Sequence, residues 1–252
     1  MAAPIRPVVV HYEPKPPPKN RRGFDDIAYV LPMLVFLVFT WLGTVSARLY
    51  NEGTPFVSAH YPISYVAKTV VVAALLVVLR KHYTKIRWDY WWLGVIIGVI
   101  GIVQWVPMQL WLQNHVEFFK PPNPDDVFNP YRDIASTNLR VAFLGVRILG
   151  AVLLVPVMEE LFWRDYLWRQ ILAPNDFKLA SVGEWGWAPF LIVPAGFAFV
   201  HGNWWLTSVA WALMIGGLLV YTKSLGACII AHATTNLLLA LYVLKTQDWA
   251  FW

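Results

Sequence analysis

Long apolar runs alternate with short polar joins along the whole chain, and seven of these runs are predicted to be membrane spans. A transmembrane helix needs about 20 predominantly apolar residues, and a tilted or irregular one somewhat more. The predicted spans are 27–47, 63–79, 91–112, 141–172, 188–201, 204–221 and 225–244, of which the fifth is short. The expected fold is all-α, a polytopic membrane helix bundle of about seven transmembrane helices.

The polar joins divide the chain into four segments. A basic, proline-rich cytoplasmic tail is expected over 1–26, and N-terminal transmembrane helices with a long polar loop over 27–139. A helical core that carries the candidate chemistry follows over 140–245, and a short C-terminal tail over 246–252. Proline-rich basic tails are extended and solvated, although docking of this tail on a partner protein stays open.

Composition supports the membrane interpretation. Of the 252 residues, 58% are hydrophobic and 14% are charged, whereas soluble domains are typically about 25% charged. The net charge of +5 does not indicate nucleic acid, because the basic residues flank the apolar runs. That distribution favours a cytoplasmic N-terminus and membrane lipids, anionic headgroups among them, as partners. The single cysteine, Cys228, excludes an intramolecular disulfide.

Two features of the first three spans lead to predictions about packing. Gly94, Gly98 and Gly101 recur at a spacing that allows a second helix to approach closely. Lys68 falls near one end of the second predicted span, so its ammonium group is expected to reach the membrane interface.

The most informative stretch is Val157–Asp165 in the fourth span, because charges at membrane depth are costly and are therefore paired, protonated or functional. Glu160 and Arg164 are four residues apart, share a helix face and can form an ion pair. Glu159 points about 100° away and lacks that partner. Glu159 is therefore the residue that a function must explain.

Three further polar side chains are predicted to reach a similar depth. At a helical rise of about 1.5 Å per residue, Glu159 and His201 lie roughly 20 Å from the cytoplasmic ends of their spans. His232 lies at roughly 12 Å and Asn236 at roughly 18 Å. Each residue alone is explained as a packing residue or as one that forms a hydrogen bond between helices. Their common depth on three helices indicates a site.

Acyl hydrolysis is the chemistry that this set allows. A carboxylate in low-dielectric surroundings can take a proton from water near neutral pH, and a neutral imidazole can orient the same water. A second histidine and an amide can stabilise an oxyanion. A Glu/His/His set can instead bind zinc, which is the second interpretation; otherwise no cofactor is expected. Cys228 lies outside the polar layer.

These motifs, in this order and on separate helices, resemble the CAAX-protease and bacteriocin-processing family. The resemblance rests on Glu159-Glu160-x-x-x-Arg164, Phe197-x-x-x-His201 and His232-x-x-x-Asn236, and it covers about residues 140–245. It implies an intramembrane glutamate-type endopeptidase. Glu159 with His201 would activate water, His232 and Asn236 would form the oxyanion pocket, and Glu160, Arg164 and Phe197 would support the site. The family's specificity for prenylated substrates is not inferred for this chain.

Two other functions are weighed against the protease. The first is a non-catalytic accessory or scaffold subunit of a larger membrane complex that keeps the CAAX-protease-like fold and binds partner membrane subunits. The second is a transporter, which usually carries an internal repeat that the sequence lacks. For the protease we expect a peptide or protein substrate, and an integral protein of a bacterial or archaeal cell (inner) membrane.

Overall fold

A computed structural model describes residues 19–49, 55–124 and 127–252, and within these the chain is helical without a strand. Six helices are long and apolar enough to cross a membrane, and a seventh apolar helix is shorter. The expected polytopic helix bundle is therefore confirmed. The principal helices are α1 (Lys19–Leu49), α2 (Pro55–Leu79), α3 (Trp91–His115), α4 (Thr137–Leu172), α5 (Trp187–Phe199), α6 (Trp205–Thr222) and α7 (Leu225–Thr246).

Helix α1 begins at Lys19 rather than at residue 27, so the last part of the predicted tail is helical. Contacts with the loops that follow α2 and α4 hold this part of the helix in place. Asp25 accepts hydrogen bonds from Lys178 Nζ at 2.6 Å and from the ring of His82 at 2.9 Å. The proline-rich residues 1–18 lie outside the described residues.

Helix α4 is 36 residues long and contains two wider, π-helical segments, Gly150–Leu154 and Leu161–Leu167. Pro156 follows the first of them. Proline lacks the N–H that would complete the helical ladder, and its ring crowds the preceding turn, so a local widening is the expected response. Such segments are frequent at functional sites, and Glu159 and Glu160 lie between the two.

Helices α3 and α7 approach each other through the glycines singled out in the sequence. A Cβ atom on Gly94 would lie 2.5 Å from Ala227 O, and one on Gly101 would lie 2.5 Å from Thr235 Oγ1. No side chain fits at such distances, so the expected close packing is confirmed. This contact sets the position of α7, the helix that carries His232 and Asn236.

Large apolar side chains remain exposed around the bundle, including Trp41, Val78, Val103 and Leu153. A surface of this kind is suited to lipid. Lys68 departs from the expectation of an interfacial lysine, because α2 begins at Pro55 and places Lys68 well inside the helix. Its side chain is buried inside the bundle and donates to Thr40 Oγ1 at 3.1 Å.

The C-terminal segment folds back onto the bundle. Residues Trp249–Phe251 form a single 3₁₀ turn, and the side chains of Trp249 and Phe251 are buried. Phe251 packs edge-on against Trp204, with ring centroids 4.7 Å apart. The predicted short tail is therefore part of the packed structure.

Candidate active site

The four residues that the sequence predicts to share a depth line one cavity of about 440 Å³. Glu159 comes from α4, His201 from the turn after α5, and His232 and Asn236 from α7. Helix α5 has only 13 residues, or about 20 Å, so it ends inside the bundle and delivers His201 to the interior. Besides these four, the side chains around the cavity are mostly apolar or aromatic, with Met33, Phe36, Trp105, Val155, Trp211 and Trp252 among them.

Glu160 lies at the centre of a buried charge cluster behind the cavity. Its Oε1 accepts a hydrogen bond from Arg164 Nη1 at 3.1 Å, the i,i+4 ion pair predicted from the sequence. The same oxygen lies 2.8 Å from His232 Nδ1, a contact that joins α4 to α7. Glu160 and Arg164 are both fully buried. The pair therefore fixes the relative position of two helices that contribute to the site.

Arg164 is also enclosed by aromatic rings. Its guanidinium carbon lies 4.9 Å from the centroid of Phe197 and 5.4 Å from that of Trp211. Such cation–π contacts are strongest where water is excluded. Phe197, predicted to support the site, thus contacts the arginine from α5, while Trp211 contacts it from α6.

Glu159 is nearly buried, with 6% of its surface exposed, yet it takes no part in this ion-pair cluster. Its Oε2 has no hydrogen-bond partner among the described residues. Buried carboxylate oxygens are normally hydrogen-bonded, so an unsatisfied one at the wall of a cavity indicates a partner that enters the cavity. The prediction that Glu159 stands apart from the Glu160–Arg164 pair is confirmed.

His201 is oriented by its own helix. Its Nδ1 lies 2.6 Å from the carbonyl oxygen of Phe197, and its ring stacks on the Phe197 ring at a centroid distance of 4.2 Å. Because a carbonyl only accepts hydrogen bonds, Nδ1 carries the proton. In the neutral ring, Nε2 is then an acceptor.

His232 and Asn236 each use part of their hydrogen-bonding capacity in the protein. The bond to Glu160 occupies Nδ1 of His232, so only Nε2 remains for a ligand. Asn236 Nδ2 donates to Ala151 O at 2.8 Å, in the first wide segment of α4, and retains a second N–H. The sequence suggested two free donors, whereas in the structure both side chains are already held in place.

Several residues in and around the site were not predicted. Trp211 packs edge-on against His232 with ring centroids 4.6 Å apart, and Trp105 lies 6.1 Å from the His201 ring. Asp165 and Arg169 form a second buried ion pair on α4 at 2.5 Å. Tryptophans are so numerous in this chain that none stood out. Asp165 and Arg169 do have the i,i+4 spacing that would have identified them.

No group of three or more histidine, cysteine, aspartate or glutamate side chains is arranged to hold a metal ion among the residues with described positions. Cys228 is fully buried and is not among the side chains that line the cavity.

Comparison with known proteins identifies one family. Residues 142–238 match the model of the Rce1-like type II CAAX prenyl endopeptidases. The resemblance noted from the sequence motifs is thereby confirmed over this segment, which contains every predicted site residue. No curated protein and no solved structure matches the chain.

Proposed function

We propose that this integral membrane protein, with its CAAX-protease-type segment, hydrolyses a peptide bond by means of water activated between Glu159 and His201. The observation that carries the proposal is the shared cavity: a buried carboxylate with no ion-pair partner among the described residues faces the same space as two imidazoles and an amide. The match of residues 142–238 to this family makes a protease the first expectation, and the cavity supplies residues suited to it.

In this mechanism Glu159 is the general base. It takes one proton from water while the water oxygen attacks the peptide carbonyl carbon. The lone pair on Nε2 of His201 accepts a hydrogen bond from the other water proton and so orients the nucleophile. Since Nδ1 of His201 is fixed on the Phe197 carbonyl, the ring requires no further partner to hold this orientation.

The oxyanion that forms on the substrate needs donors at the opposite side of the carbonyl. Asn236 has one N–H left after its bond to Ala151, and His232 offers Nε2, which donates when the ring is doubly protonated. Collapse of the tetrahedral intermediate breaks the C–N bond. Glu159 then gives its proton to the departing amine, leaving a carboxylic acid and an amine as products.

Glu160 and Arg164 act on the reaction indirectly in this scheme. Glu160 holds Nδ1 of His232, so Nε2 keeps one orientation toward the cavity. Arg164 compensates the charge of Glu160, without which a buried carboxylate would be strongly unfavourable. They are positioning residues.

The experiment compares wild type with Glu159→Gln in nanodiscs, using a mixture of synthetic peptides and mass spectrometry of the products. The substitution keeps the side-chain volume and removes the base. The expected result is a loss of about 10²- to 10⁴-fold in hydrolysis, with an unchanged elution profile in size-exclusion chromatography. His201→Ala should behave similarly.

Glu117→Gln serves as the matched control, because Glu117 is exposed and forms an ion pair with exposed Lys120. Its rate should equal that of wild type. Unchanged cleavage by Glu159→Gln would refute the hydrolytic role of Glu159 and favour a non-catalytic accessory subunit.

A further inference from the structure

Two basic side chains are buried in the helices without an acidic partner among the described residues. Lys68 on α2 is 8% exposed and Arg147 on α4 is 7% exposed. The other buried arginines of α4, Arg164 and Arg169, form ion pairs with Glu160 and Asp165. Neither Lys68 nor Arg147 forms an ion pair with a carboxylate in the described part of the chain. Buried charges without a counterion are costly in a membrane protein and indicate function.

Lys68 is held by a hydroxyl and two aromatic rings. Its Nζ donates to Thr40 Oγ1 at 3.1 Å and lies 4.2 Å from the centroid of Phe36 and 4.8 Å from that of Tyr65. These contacts stabilise the cation partly and leave its charge uncompensated. The ammonium group has three N–H bonds, of which Thr40 takes one.

Arg147 has similar surroundings. It donates to the hydroxyl of Tyr61, and its guanidinium carbon lies 5.2 Å from the centroid of Tyr65 and 4.8 Å from that of Trp252. Its Nε–H is buried and has no hydrogen-bond partner among the described residues. Both cations therefore adjoin one ring, Tyr65, and both retain unused donors.

The two cations adjoin the wall of the candidate active-site cavity. Phe36 and Thr40, which contact Lys68, line that cavity, and so does Trp252, which contacts Arg147. An anionic group at this part of the wall would thus lie one side chain away from each cation. Glu159 faces the same space.

The depth of Lys68 argues against a lipid phosphate as the anion. Along the apolar span Tyr61–Leu79 of α2, Lys68 lies about 10 Å from one end and about 16 Å from the other. Lipid headgroups lie outside a hydrocarbon core of about 30 Å, so they are near the ends of such a helix. An anion at this depth has to arrive on a ligand that enters the cavity.

We propose that Lys68 and Arg147 attract the carboxylate of the ligand that occupies the cavity, and so select acidic over neutral ligands. The proposed hydrolytic function enters only in identifying that ligand as the peptide substrate. A carboxylate held at the Thr40–Trp252 part of the wall would fix which bond of the peptide reaches Glu159.

Binding tests this selection without catalysis. The full chain in phosphatidylcholine nanodiscs is titrated calorimetrically with N-dodecanoylglycine and with N-dodecanoylglycinamide, and the signal of empty nanodiscs is subtracted. The two probes differ only in the carboxylate. Wild type should bind the acid about tenfold more tightly. Equal binding of the two probes by wild type would overturn the proposal, and this comparison needs no variant.

Substitutions then locate the effect. Lys68→Met keeps the apolar stem and should remove the preference for the acid, whereas Lys68→Arg should retain it. Lys81→Met changes an exposed lysine and should bind like wild type. A preference that persists in Lys68→Met would overturn the assignment. Displacement of the acid probe by phosphatidylglycerol, dependent on Lys68, would replace the carboxylate by a lipid phosphate and would overturn it as well.

Peptide hydrolysis separates the two proposals. Peptides that differ in one carboxylate should differ in KM for wild type and not for Lys68→Met. Absence of hydrolysis, or hydrolysis that survives Glu159→Gln, would contradict the proposed function and leave the calorimetric result standing. Equal calorimetric binding together with Glu159-dependent hydrolysis would contradict only the carboxylate proposal.

Discussion

Gly98→Ala tests whether the contact between α3 and α7 sets the geometry of the site. A Cβ atom at this position would lie 2.5 Å from Thr234 Cβ and 2.6 Å from Ala231 O, whereas ordinary contacts begin at 3.4 Å. The helices must therefore separate by close to 1 Å, since a backbone carbonyl of α7 cannot rotate away. Overpacking of this kind costs about 1–3 kcal/mol, or about 2–12 °C in Tm for a chain of this size.

The same displacement acts on the site, because α7 carries His232, whose Nδ1 lies 2.8 Å from Glu160 Oε1. A shift of His232 by close to 1 Å is enough to break this hydrogen bond. A misplacement of about 1 Å can reduce a rate by about 100-fold. We therefore expect the substitution to reduce peptide hydrolysis far more than its effect on stability would suggest.

The assay combines thermal unfolding, followed by tryptophan fluorescence in detergent, with peptide hydrolysis measured well below Tm. Gly145→Ala is the matched control, because a Cβ atom there meets nothing within 4 Å. Removing a glycine from a helix interior stabilises by about 0.5–1 kcal/mol, so its Tm should be equal or higher. Wild-type Tm and wild-type activity in Gly98→Ala would refute the reasoning.

Three further predictions concern the charges around the cavity. Glu160→Gln should leave Arg164 buried without its counterion and lower the free energy of unfolding by about 3–5 kcal/mol; an unchanged circular-dichroism melt would contradict this prediction. The substitution should also release His232, which hydrolysis measurements check. Asp165→Asn should weaken the ion pair with Arg169 and lower Tm, while hydrolysis per folded molecule stays within about twofold; a selective loss of activity would place Asp165 in the site. Preincubation with EDTA should leave hydrolysis unchanged, because the proposed mechanism activates water with Glu159 and His201 alone, and a loss restored by zinc would contradict this.

The sequence was most informative where the relevant interaction is local. The Glu160–Arg164 pair follows from helical spacing, and the close packing of α3 follows from the spacing of its glycines. The meeting of Glu159 with His201 could be predicted because a membrane fixes the depth of each helix. Depth alone, however, cannot say which helices are neighbours.

For that reason, the sequence could not predict which side chains make contacts between helices. The bond from His232 to Glu160 depends on the distance between α4 and α7, which no pattern in either helix reports. The burial of Lys68 was not predicted, because the environment of this residue depends on where α2 begins. The enclosure of the cavity by Trp252 depends on a turn after the last apolar run.

The two wide segments of α4 determine where this helix tolerates the deletion of a residue. A π-helical turn holds one residue more than an α-helical turn. Deleting one residue, such as exposed Leu153 in Gly150–Leu154, would let the segment close into an ordinary turn. The N-terminal half of α4, with Arg147, would then still face α2, and Glu159 would keep its present orientation. A protein shortened by one membrane-embedded residue at this place is therefore expected to fold, whereas the same deletion between Val155 and Glu160 would rotate the carboxylates by about 100°.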